Sequence, residues 1–124
     1  MTDSIRRLFD GVRAARGRDP AQSRTARLLQ AGPRKIAKKV AEEAAEVALE
    51  SAAGNRDEVI RESADLLYHL VVLWSEAGVE PKEIWAEMDR REKMYGIAEK
   101  IQKGTLAKRA TPPVAALARR RRSR

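Results

Sequence analysis

Residues 38–74 read KKVAEEAAEVALESAAGNRDEVIRESADLLYHLVVLW. Two runs with helical spacing flank Gly54-Asn55, so two helices joined by a tight turn are predicted, lying antiparallel. The first run carries Glu42, Glu43 and Glu46, and the second carries Glu62 and Asp65. At about 100° per residue, Ile36, Val40, Glu43 and Val47 share one face. Lys39 and Glu46 flank that stripe, while Glu42 turns further away. A carboxylate on an apolar stripe is costly unless it is paired, hydrogen-bonded or bound to a metal. Ordinary surface glutamates explain Glu42 and Glu50 well, but they explain Glu43 poorly.

In the second run, Val59, Ser63, Leu66, Leu70 and Leu73 form a stripe that Ile60, Leu67, Val71 and Trp74 widen. Between Ala64 and Trp74 only Asp65, Tyr68 and His69 carry polar groups. A segment apolar nearly all round is expected of a central helix or a dimer core. Glu62, Asp65 and His69 share the remaining sector, three and four positions apart.

Working outward, Asp3 or Ser4 caps a first helix with Ile5, Leu8, Phe9 and Val12 at helical spacing, closed by Gly17 and Asp19-Pro20. This helix is read as a packing arm on the bundle. Ser23 or Thr25 then starts a short helix that Gly32 ends, and Pro33 opens the helix over 33–51. The hydroxyls of Ser23 and Thr25 suit either capping or substrate contact. Downstream, Gly78 stops the second long helix and Pro81 opens another, ending before Gly96. Trp85 and Met88 are assigned to core or interface. Residues 97–106 are read as one more short helix. The domain is placed at 1–104, with a basic, flexible extension over 105–124 that ends in RRRRSR.

No strand pattern and no glycine-rich phosphate loop is present, which argues against P-loop and Rossmann enzymes. Aromatics are only 4% of the chain, so alanine, leucine and valine must supply most of the packing, which favours helices. The absence of cysteine removes disulfides and thiolate metal sites. The apolar run LLYHLVVLW is too short to span a bilayer, and a cytoplasmic protein is expected. The net charge is +8, yet thirteen acidic residues and only three basic ones fall between Glu42 and Asp89. An acidic centre between basic ends suits a divalent cation beside a polyphosphate. The tail lacks aromatic interleaving, so a solvated tail is preferred to a nucleic-acid-binding one.

Hard carboxylate ligands without cysteine favour Mg²⁺ over zinc. Arg34, Lys35, Lys38 and Lys39 lie one to three turns upstream, within reach of phosphates. Lys38–Glu42 and Lys39–Glu43 are also spaced as ordinary helix-stabilising pairs. His69 is read either as a hydrogen-bonding partner of Asp65 or as a core histidine. From the residues alone, the chain is a helical, metal-dependent, phosphate-handling protein.

The stretch resembles the phosphoribosyl-ATP pyrophosphatases of histidine biosynthesis. These form a branch of the all-α nucleoside triphosphate pyrophosphohydrolases, with the MazG-like and dimeric dUTPase-type enzymes. The shared pattern is a doubled glutamate, a glutamate three on, and a distant glutamate–x–x–aspartate: here Glu42, Glu43, Glu46, Glu62 and Asp65. The narrower match includes Ser23, Thr25, Ala26, Leu28-Leu29, Gly32-Pro33, Lys38-Lys39-Val40 and the run from Ser63 to Leu70. The resemblance implies an all-α homodimer. It implies Mg²⁺-dependent hydrolysis of phosphoribosyl-ATP to phosphoribosyl-AMP and pyrophosphate.

By resemblance, Glu43, Glu46, Glu62 and Asp65 are the metal ligands and Glu42 joins the catalytic set. Ser23, Thr25, Arg34, Lys35, Lys38, Lys39 and His69 are the substrate-binding candidates. Arg24 stands where the family commonly has tyrosine, so a ring or hydroxyl contact is absent or replaced. The competing readings are a house-cleaning pyrophosphohydrolase of free nucleoside triphosphates and a non-catalytic helical nucleic-acid-binding protein.

Overall fold

The computed structural model describes residues 3–102, with side chains described from 3 to 96; the expected tail lies outside them. The described residues form five helices and no strand, as expected of an all-α chain. Helix α1 (Ser4–Ala15), α2 (Arg24–Ala31), α3 (Pro33–Ala52), α4 (Arg56–Ala77) and α5 (Pro81–Gln102) follow in order. They divide into two compact units, one ending at Ile84 and the other beginning at Trp85.

Each boundary in the first unit has a local cause. The Asp3 carboxylate accepts from the Arg6 N–H at 2.9 Å and caps α1. Ser23 Oγ accepts from the Ala26 N–H at 3.1 Å and caps α2. Gly32 ends α2 at φ 94°, a conformation that β-carbons disfavour, and Pro33 restarts the chain as α3. Gly78 ends α4 in the left-handed region at φ 74°. At the start of α5, the Glu80 N–H donates to Glu83 Oε2 at 2.8 Å, half of a capping box.

Helices α3 and α4 form the most extensively packed pair, with α1 laid along α4 and α2 against α3. The core joins Phe9 and Val12 of α1, Leu29 of α2, Ile36 of α3, and Val71 and Val72 of α4. The expected packing arm is therefore part of the core. All of these residues lie toward one end of the α3–α4 hairpin. Ile36 is the one buried residue on α3, and the buried residues of α4 are His69, Val71 and Val72. Toward the other end, Leu49 is 68% exposed and Ile60 54% exposed. The hairpin's apolar surface thus exceeds what this unit covers by itself.

The second unit holds the larger part of α5. Its charges pair along the helix: Arg90 and Arg91 both bond Glu87 and hold that carboxyl down at about 2. One expectation fails here. Gly96 does not end α5, which runs on to Gln102, so the first part of the expected 97–106 helix is a continuation. Gly96 has no positive φ. A lone helical glycine costs about 1 kcal/mol relative to alanine, which weakens a helix without terminating it. Trp85 and Met88, assigned to core or interface, are 40% and 58% exposed in the single chain, which leaves the interface half of that assignment.

Candidate active site

Glu43 of α3 and Glu62 and Asp65 of α4 converge across the hairpin. Each offers a carboxylate oxygen, and the three atoms lie within 4.8 Å of one another. Among the described residues this is the one such acidic group. The juxtaposition follows from the short connection, which folds α4 back along α3 and matches the faces carrying the two motifs.

The group is electrostatically unfinished. Among the described residues no donor meets Glu43 Oε2 or Glu62 Oε2, both shut off from solvent, and only a proton taken up by the carboxyls themselves lets Glu62 bond its acidic neighbours. An oxygen shut off from water without a donor is destabilised, the more so when charged. Glu62 responds by holding a proton. Hydrogen bonding to Glu46 comes first among the causes, followed by burial and by the charges of Glu46 and Glu43; together they push it up to about 7. Glu46 is therefore a neighbour of Glu62 but stands outside the converging three. Glu42 is exposed, as its helical phase requires, and is not among them.

Among the described residues, the cations expected to meet phosphate make no ion pair. Arg34, Lys35 and Lys38 are exposed and Lys39 is half-buried. Neither Lys38–Glu42 nor Lys39–Glu43 is among the ion pairs of the described residues. Lys39 lies one helical turn from Glu43, about 6 Å along α3.

The remaining candidates have structural partners. Ser23 is the cap of α2. Thr25 Oγ1 lies 2.7 Å from the Tyr68 hydroxyl. His69 is 3% exposed, and its Nδ1 lies 2.8 Å from the main-chain oxygen of Asp65, not from the carboxylate. It packs edge-on against Tyr68 at 5.0 Å. The histidine therefore braces α4 from inside the core, and the exposure that substrate contact needs is lacking. Sequence reasoning gave Tyr68 no role, although its place three residues after Asp65 was a signal. Arg24 lies over the Tyr68 ring, its Cζ 5.1 Å from the centroid.

Such a set of oxygens suits a hard divalent cation: they are all carboxylates, and two are buried without a partner. Comparison with known proteins agrees with the motif. Residues 5–92 match the family model described as phosphoribosyl-ATP pyrophosphohydrolase. The chain is 60% identical over 112 residues to phosphoribosyl-ATP pyrophosphatase 2 of Rhodopseudomonas palustris, covering 90% of this chain and 86% of that protein. It is 59% identical over 118 residues to the protein of the same name from Bradyrhizobium diazoefficiens, covering 94% and 88%. The phosphoribosyl-ATP pyrophosphatase of Gluconobacter oxydans is 53% identical over 96 residues, 77% of this chain and 72% of the relative. With the motif, the all-helical fold and the converging carboxylates in agreement, the chain belongs to the phosphoribosyl-ATP pyrophosphohydrolase family.

Proposed function

We propose that this protein hydrolyses phosphoribosyl-ATP to phosphoribosyl-AMP and pyrophosphate, as the second step of histidine biosynthesis. The observation that carries this reading is the pair of buried, unpartnered oxygens on Glu43 and Glu62, converging with Asp65. Glu43, Glu62 and Asp65 would hold Mg²⁺, with Glu46 bracing Glu62. A divalent cation bound there offsets phosphate charge and makes water more acidic.

The chain's own residues supply the rest. Lys38 and Lys39, which pair with no carboxylate among the described residues, receive phosphate oxygens and offset charge on the departing pyrophosphate. Arg34 and Lys35 extend that cationic flank. Glu42, turned outward, has no direct part in the ligand set. Ser23 and Thr25 shape the edge of the site through the cap of α2 and the tie to Tyr68.

A homodimer completes the fold. Leu49, Ile60 and Leu67 leave apolar surface uncovered on the α3–α4 hairpin, and a second copy is the partner that would bury it. Among the described residues no helix is long and apolar enough to cross a membrane. We place the enzyme in the cytoplasm with its small-molecule substrate.

The reading is tested by pyrophosphate release from phosphoribosyl-ATP, ATP and dUTP. Release from phosphoribosyl-ATP alone is expected. Release confined to the free triphosphates would overturn the substrate and favour the house-cleaning activity.

A further inference from the structure

The Tyr68 ring is fixed from two sides. Its hydroxyl meets Thr25 Oγ1 at 2.7 Å, and His69 packs edge-on against it with the ring planes at 81°. Arg24 rests on this ring. Arg6, Arg16, Arg61 and Arg90 pair with carboxylates; Arg13 lies over Phe9 as Arg24 does over Tyr68, but only the Tyr68 ring is on the helix that carries Glu62 and Asp65. Among the described residues Arg24 has no carboxylate partner, and neither has Asp65. Yet Tyr68 is only three residues from Asp65, about 4.5 Å along α4. Arg24 thus rests on a ring carried one helical turn along α4 from a ligand candidate of the acidic group.

Stacking consumes the face of the guanidinium and leaves its N–H donors free at the edge. That fork matches the oxygens of a phosphate. We propose that Arg24, held on the ring that Thr25 ties in place, is a substrate-binding residue that takes a phosphate group of the nucleotide. The assignment rests on reading the acidic centre as a pyrophosphohydrolase site. The phosphate belongs either to the phosphoribosyl arm or to the triphosphate.

The test compares wild type with Arg24→Gln and Arg24→Lys. Steady-state hydrolysis of phosphoribosyl-ATP is read together with competitive inhibition by ATP and thermal melting. Arg24→Gln should raise KM about tenfold, the loss expected for a charge-assisted phosphate contact, with kcat within about twofold and melting unchanged. Arg24→Lys, which keeps the charge without the planar fork, should recover part of the loss. If the inhibition constant of ATP rises in parallel, Arg24 holds the triphosphate. If it stays fixed, Arg24 holds the phosphoribosyl phosphate.

An unchanged KM, or a fall in kcat and melting temperature without a KM shift, would reduce Arg24 to a clamp on Tyr68 and overturn the assignment. Calorimetric titration of phosphoribosyl-ATP into EDTA-treated protein separates this from the activity itself. Binding weakened in Arg24→Gln but without turnover in wild type would retain the Arg24 contact and sink the hydrolase reading. Equal binding by both proteins would sink the contact alone, and no binding to wild type either in EDTA or with Ca²⁺ in place of Mg²⁺ would sink both.

Discussion

Loading the acidic centre with a divalent cation should expel a proton from Glu62. In the cation-free protein this carboxyl sits at about 7, held there first by Glu46, then by burial, then by Glu43. It is therefore about nine-tenths protonated at pH 6, about half at pH 7 and about one-tenth at pH 8. Cation binding through Glu62 should release about 0.9, 0.5 and 0.1 protons at those three values, and apparent affinity should weaken about tenfold from pH 8 to pH 6. Calorimetry with Mn²⁺ in buffers of different ionisation enthalpy reads both quantities.

The same group shapes stability in the opposite direction when no cation is present. Its proton is held more tightly in the folded protein than in an unfolded chain, whose ordinary carboxyl value is 4.5. Its contribution is full below pH 4.5 and is lost as pH rises through about 7. Glu62→Gln should remove that decline, so the variant gains stability over wild type between pH 5 and pH 8, each value about the edge of the window. Two results would refute the reasoning: proton release near zero at pH 6, or a pH–stability profile that Glu62→Gln leaves unmoved.

Three further outcomes follow from the packing. Ile36→Ala should cost about 2–5 kcal/mol in chemical denaturation, because Ile36 is 1% exposed at the meeting of α1, α3 and α4. Ser23→Ala should cost about 1 kcal/mol through loss of the α2 cap while leaving kcat within about twofold, which a denaturation curve and steady-state kinetics check together. Leu67→Glu should shift sedimentation from dimer to monomer, since Leu67 is 44% exposed on the apolar hairpin; a wild type that sediments as a monomer would remove the basis for the shared interface.

The helices were legible because their ends are written locally. Ser23, Gly32-Pro33, Gly78 and Pro81 each leave a specific backbone signature, and the structure uses all of them. Gly96 misled because a glycine stops a helix by adopting a positive φ or losing its support, and neither is encoded by its identity. Periodicity placed Glu43 on the apolar face, and the structure brings it to Glu62 and Asp65. It did not separate Glu46 from that trio, since side-chain reach across a hairpin depends on the axial offset of two helices. The partners of Thr25 and Arg24 were unreadable for a related reason. Both meet Tyr68, more than forty residues on, and no local pattern encodes the docking of α2 on α4. His69 showed the limit of spacing: it shares a sector with Asp65, yet it bonds the backbone of that residue, not its carboxylate.

The most direct measurement is pyrophosphate release from phosphoribosyl-ATP by wild type and Glu43→Gln, each with and without Mg²⁺. If Glu43, Glu62 and Asp65 form the cation centre, wild type is active only with Mg²⁺. Glu43→Gln should then lose turnover while keeping its helical circular dichroism and melting temperature. Undiminished release by Glu43→Gln, or release by wild type in EDTA, would contradict the assignment.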